Sequence, residues 1–258
     1  MEKERVLKLY KEYLQNNPQI AYIRNTRRNY RDLIDSTYLR NNEVLKDENL
    51  SGNLTSEQLR KLDDKYNHKL KWDIIKSDVT EEQITKFEQE NGITLPKQFR
   101  EYIQGYSFLH STFYPKCIVS EDYGCCSGYY NQKTGEHICY SNEELEQNEE
   151  LIGNVKIEFF GVSNPNDTVL LGYFENIRMF QLGNLDSGDM VLLDCETGEV
   201  QSWDHELLYF AEEAESKEEF EEKCQEGYFW FEDFDTFLEW VFGKTVYNFE
   251  EAEDEEDL

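Results

Sequence analysis

Residues 188–206 read Gly188-Asp189-Met190-Val191-Leu192-Leu193-Asp194-Cys195-Glu196-Thr197-Gly198-Glu199-Val200-Gln201-Ser202-Trp203-Asp204-His205-Glu206, and this stretch decides the fold. Met190 to Cys195 is apolar at every position except Asp194 and shows no alternation, the pattern of a strand covered on both faces. Glu196-Thr197-Gly198 reads as a three-residue hairpin loop in which Gly198 supplies the positive φ that such loops need. Val200 to Trp203 returns as the partner strand, and Asp204-His205-Glu206 closes it with polar groups. The stretch predicts a central hairpin and does not by itself make a site.

Working back from the hairpin, Val155 to Val162, Thr168 to Phe174 and Arg178 to Leu182 read as further strands. Asn164-Pro165-Asn166-Asp167 and Asn184 to Gly188 separate them as turns. Sequential strands with short connections favour an antiparallel sheet. From Tyr106 to Gly153 the chain is irregular; Lys116 to Ser120 reads as a strand, Gln132 to Glu136 as a turn, and Asn142 to Leu151 as a short acidic helix.

Helices flank the strands. Thr80 and Gln83 form a capping box, Val79 and Ile84 a hydrophobic staple, and Gly92 the stop of a helix that leaves Glu81, Glu82, Glu88 and Glu90 to water. Pro96 opens the next helix, whose buried stripe is Phe99, Tyr102, Ile103 and Tyr106. Leu95 before it is pushed out of helical backbone, which fixes the angle between the two helices. Ser216 and Glu219 cap a later helix, and a closing one packs Phe234, Phe237, Leu238 and Val241 inward before Gly243. In the first seventy residues, Val6, Leu9, Tyr10, Tyr13 and Leu14 share one helical face that ends at Asn16-Asn17-Pro18. Ile20 to Ile34 predicts a second, longer helix, and Thr55 with Gln58 caps a third, stapled by Leu54 and Leu59. Arg24, Arg27, Arg28 and Arg31 form a stripe on the second, read as a face paired with the protein's own carboxylates or solvated, or else as a phosphate-binding face.

The pattern Gly-Asp-x-x-x-Leu-Asp-x-x-x-Gly-x-Val-x-x-Trp-Asp-His-Glu at 188–206 resembles the second half of SUKH domains, which include many bacterial immunity proteins and the yeast cell-wall-synthesis regulator. Thr80 to Ile103, an acidic helix, Gly92, then Leu95-Pro96 and a second helix, is similar to the opening of that family. Phe234 to Val241 resembles its closing helix, so the likeness covers roughly residues 71–245. The expected organisation is an N-terminal helical extension over 1–70, an α+β domain over 71–245 with an antiparallel sheet and helices packed largely on one side, and an acidic tail over 246–258, disordered from Glu250.

The resemblance implies a cytoplasmic immunity protein that binds and neutralises a polymorphic or contact-dependent toxin, often a nuclease, by occluding its active cleft. It also implies an alternative: a constitutive regulator or scaffold that recruits host partners through the helical extension and the acidic tail.

Charge agrees with a protein partner and disfavours nucleic acid. The net charge is −29, the first seventy residues hold a slight excess of Lys and Arg, and the rest of the chain carries the entire negative surplus. Such a field repels polyanions and anionic lipid and attracts cationic surfaces; acidity that serves only solubility is the plainer reading. No apolar run approaches the ~20 residues of a membrane helix, and Met1-Glu2-Lys3-Glu4-Arg5 lacks the apolar core of a secretory signal, so the cytoplasm is the expected location.

Cys117, Cys125, Cys126, Cys139, Cys195 and Cys224 make no Cys-x-x-Cys pair, as for reduced thiols. Four of them lie near His110 and His137, but their spacing fits no zinc pattern, and neither a metal nor a cofactor is expected. His205, between Asp204 and Glu206, has the setting of a general acid, although a structural role for a strand-end histidine is commoner. No catalytic arrangement is complete, and no enzyme is expected. The candidate partner contacts are Asp186, Asp189, Asp194, Trp203, Asp204 and Glu206, with Tyr123, Tyr129 and Tyr130. Against these stand core packing for Trp203 and turn stabilisation for Asp194.

Overall fold

Met190–Asp194 is buried at every position, as the apolar run from Met190 to Leu193 requires, because cores form on both of its faces. The structure, a computed structural model, describes residues 3–23, 34–39, 42–45, 48, 50–107, 111–118, 128–131, 136–139, 141, 152–159, 173–185, 187–204, 213–223 and 226–248. Its first part runs α1 (Lys3–Asn16), β1 (Ile34–Asp35), β2 (Asn53–Leu54), α2 (Ser56–Lys65), β3 (Ile75–Lys76), α3 (Glu81–Asn91), α4 (Lys97–Gly105) and β4 (Tyr106–Ser107). The elements described in the middle are strands: β5 (Ser111–Phe113), β6 (Lys116–Ile118), β7 (Gly128–Asn131), β8 (Glu136–Cys139), β9 (Ile152–Asn154) and β10 (Ile157–Phe159). Then come β11 (Tyr173–Phe174), β12 (Met179–Leu185), β13 (Met190–Asp194), β14 (Val200–Trp203), α5 (Lys217–Lys223), β15 (Glu226–Phe231), α6 (Phe234–Val241) and β16 (Val246–Tyr247).

The main sheet has the order β15-β14-β13-β12-β10-β5, antiparallel throughout, with β11 paired to the other end of β12. The expected hairpin is its centre: Met190 faces Trp203 and Leu193 faces Val200 across the β13–β14 register, and Gly198 turns the loop with φ +89°. A bulge interrupts β12 between Gln181 and Gly183. At Gly183 a β-carbon would meet the Glu158 carbonyl oxygen at 2.2 Å, so the close approach of β10 to β12 admits no side chain there.

Side chains of β13 divide by parity. Val191 and Leu193 enter a large core with Phe180, Leu182 and Val200. Met190 and Leu192 enter a smaller one with Ile177, Met179, Trp203, Ala214 and Phe220. α3, α4 and α6 give Ile84, Phe99, Tyr102, Ile103, Phe234 and Phe237 to the large core, whereas α5 gives Phe220 to the small one. The fold is therefore α+β, an antiparallel sheet with helices mostly on one face. Both predicted capping boxes are present, at Thr55/Gln58 and Thr80/Gln83.

The packing runs across residue 70. Val6, Tyr10 and Tyr13 of α1 belong to the large core, with Tyr10 5.5 Å from the Trp72 ring and Tyr13 5.5 Å from Phe113. Arg5 pairs with Asp235 and Glu239 of α6, and Lys244 with Glu12, fastening α1 from outside. The predicted long helix from Ile20 is replaced in its described part by a 3₁₀ turn, Pro18–Ala21, and by β1 at Ile34–Asp35. The cause is competition for backbone partners: the Ile23 N–H donates to Leu70 O at 3.0 Å, and Ala21 O accepts from Trp72 N at 2.9 Å. The arginine stripe lies outside the described residues, as do the predicted helix at 142–151 and the tail from residue 249. The strand expected from Val155 begins at Ile157, and β12 runs on to Leu185, shortening the turn before the hairpin.

Candidate functional site

Asp194 ends β13, where the chain must reverse. Its Oδ1 accepts from the N–H groups of Glu196 (2.7 Å) and Thr197 (3.3 Å), and its Oδ2 accepts from Lys217 Nζ at the start of α5. One carboxylate thus shapes the hairpin loop and anchors the helix that covers the small core. Burial works to lower the Lys217 pKa, but the hydrogen bond and charge of Asp194, with the charges of Glu221 and Glu196, together outweigh it, and the ammonium is held above the usual lysine range.

The other hairpin candidates also turn inward. Trp203 is 3% exposed, with its ring 4.9 Å from Phe220. Asp189 is 2% exposed and accepts from the Ser187 hydroxyl at 2.6 Å. It sits at the opposite end of β13 from Asp194, so the structure does not bring these two carboxylates together. Asp204 is half-buried just past β14. Asp186, Glu206, His205 and Tyr123 lie outside the described residues. Tyr129 and Tyr130 lie on β7, paired with Ile138 and His137 of β8, and only their backbone is described.

What the Asp194 end does present is a charged cleft of about 710 Å³, lined by Glu175, Arg178, Glu196, Glu215, Lys217 and Glu218 among others. It forms because Met179 of β12 lies opposite Asp194, which sets Arg178 beside the hairpin loop. Arg178 O accepts from the Cys195 N–H at 3.0 Å, and its backbone takes a left-handed φ of +57°. The guanidinium donates to Glu196 Oε1 at 2.5 Å, and that bond holds it above the ordinary arginine value. Glu218 is held below the usual carboxylate range by its own backbone N–H and by the Ser216 hydroxyl. Cys195, behind the loop, is buried, and burial pushes its thiol well up, away from thiolate chemistry.

The cleft therefore offers outward carboxylates around two internally paired cations. Among the described residues no cluster of three His, Cys, Asp or Glu is placed to hold a metal ion. Compared with known proteins, the chain matches no family model, no curated protein and no solved structure. The local geometry alone carries the reading. Sequence reasoning missed Arg178 and Lys217, although Lys217 carried a signal: it is a cation at the start of a helix whose first turn is otherwise acidic, where a positive charge is out of keeping with the helix dipole.

Proposed function

We propose that the protein is a cytoplasmic immunity protein of the SUKH type that neutralises a cationic toxin by covering its active cleft. The observation that carries this reading is how the carboxylates are distributed at the hairpin end. Asp194 is consumed internally and Glu196 is paired to Arg178, while Glu175, Glu215 and Glu218 stand exposed around the cleft on a chain of net charge −29. Nuclease active clefts carry positive potential, and an acidic surface of this kind substitutes for the polyanionic substrate. Long-range attraction raises the association rate, and apolar contacts at the centre of the interface slow release. Among the described residues no helix is long and apolar enough to cross a membrane.

The test is co-expression with the toxin encoded beside the gene. Growth should be rescued, and the double charge reversal Glu175→Lys/Glu218→Lys should slow association by about ten-fold at low salt and far less at high salt. No rescue, or an on-rate indifferent to both salt and charge reversal, would remove this reading.

A further inference from the structure

The main sheet ends at β15, which pairs with β14 on one side; among the described residues no strand pairs with its other side. Such an edge offers a row of amides and carbonyls that a further strand can extend, and proteins usually blunt it with charge, proline or a bulge. β15 reads Glu226-Gly227-Tyr228-Phe229-Trp230-Phe231, with four aromatic residues, no proline and a charge only at its first position. That composition favours strand pairing. A register shift interrupts its pairing with β14, but it falls between Glu226 and Trp230. The Trp230–Phe231 end stays regular, opposite Gln201 and Val200.

That regular end is closed from outside. The Trp230 N–H turns away from β14 and donates to Tyr247 Oη at 2.9 Å. Tyr247 comes from β16, which runs parallel to β6 with Val246 beside Lys116 and Tyr247 beside Cys117. The Tyr247 ring lies 5.0 Å from Phe231 and 6.0 Å from Trp240, and Trp240 Nε1 donates to Lys116 O at 2.7 Å. β6 and α6 thus seat the strand and the ring. What the hydroxyl adds is an acceptor for an amide that a neighbouring strand would otherwise take.

We infer that β16 is a strap whose Tyr247 keeps the β15 edge from pairing with the same edge of a second copy. Identical edges pair antiparallel about a two-fold axis, which sets the two Glu226 carboxylates at opposite ends of the paired segment. The force opposing that pairing is long-range: chains of net charge −29 repel one another, and salt screens the repulsion. An opened edge therefore associates more as salt rises, the reverse of an interface held by ion pairs.

The test uses two variants of the full chain. Tyr247→Phe keeps the ring and removes the acceptor, and the Trp230 amide should exchange at least about five-fold faster, the weight of one net hydrogen bond. Tyr247→Ala removes the cover as well. In sedimentation at roughly 0.05 and 1 M salt it should form a dimer that grows several-fold with salt and protects the β15 amides from exchange, while the wild type stays monomeric. Trp230 exchange unchanged in Tyr247→Phe would overturn the inference. So would a Tyr247→Ala variant that is monomeric at both salts, or association that leaves the β15 amides unprotected.

Discussion

The two faces of the central sheet are built on different scales. On one, α1, α3, α4 and α6 close over a continuous aromatic network in which Phe99 lies 5.1 Å from Phe180 and 5.2 Å from Phe234. On the other, among the described residues, the seven-residue helix α5 covers Met190, Leu192 and Trp203 with Phe220 and is tied down by the Lys217–Asp194 pair. A helix of two turns has almost no stability of its own, so among the described residues its position leans on the Phe220 ring, the Lys217–Asp194 pair and the Asn176 amide that donates to Ala214 O just before it. The lesson is that β13 is equally buried on both faces but unequally held. The charged cleft stands on the weakly held face, where α5 carries Glu218 and Glu215 lies just before it.

The largest test of this contrast is a pair of truncations. Phe99→Ala should cost about 3–5 kcal/mol in denaturant unfolding, with the loss global and cooperative. Phe220→Ala should cost about 3 kcal/mol or less and should change the Trp203 near-ultraviolet signal before the main transition. Equal losses in a single shared transition would break the comparison.

A smaller effect is expected at the tie itself. Lys217→Met leaves Asp194 with its two backbone donors but no cation, and should cost about 1–3 kcal/mol. Its pH dependence sharpens the point. A lysine whose folded pKa is raised contributes stability fully present below the unfolded value, near ~10.4, and lost as pH rises through the folded one. The wild type should lose this increment above that range, measured as thermal midpoint against alkaline pH, and the Lys217→Met variant should not. The smallest effect belongs to the strongly held face: Thr80→Ala removes the α3 capping box and should cost about 1 kcal/mol without altering the Trp203 signal.

Much of the fold was legible because its signals are local. The capping boxes at Thr55 and Thr80, the left-handed stop at Gly92 and the unbroken run of β13 each depend on residues within a few positions of one another. Where the reading failed, the competitor was distant. The helix expected from Ile20 lost its backbone hydrogen bonds to Leu70 and Trp72, some fifty residues on. Glu88, expected in water, instead accepts from the Leu95 N–H at 2.9 Å and from Arg100 at 2.6 Å, so it braces the Leu95-Pro96 step from the preceding helix. Candidate contacts fared similarly. Asp194 and Trp203 were singled out by position in the hairpin, and their burial against α5 depends on a helix that follows a further thirteen residues of chain.

The sequence alone determined the antiparallel hairpin, the caps of the helices and a chain whose acidity lies beyond residue 70, because periodicity, turn chemistry and net charge are properties of neighbouring residues. Only the tertiary structure decided which carboxylates remain outside. A charge is spent or displayed according to the partner that folding brings beside it, as Lys217 is brought to Asp194 and Arg100 to Glu88.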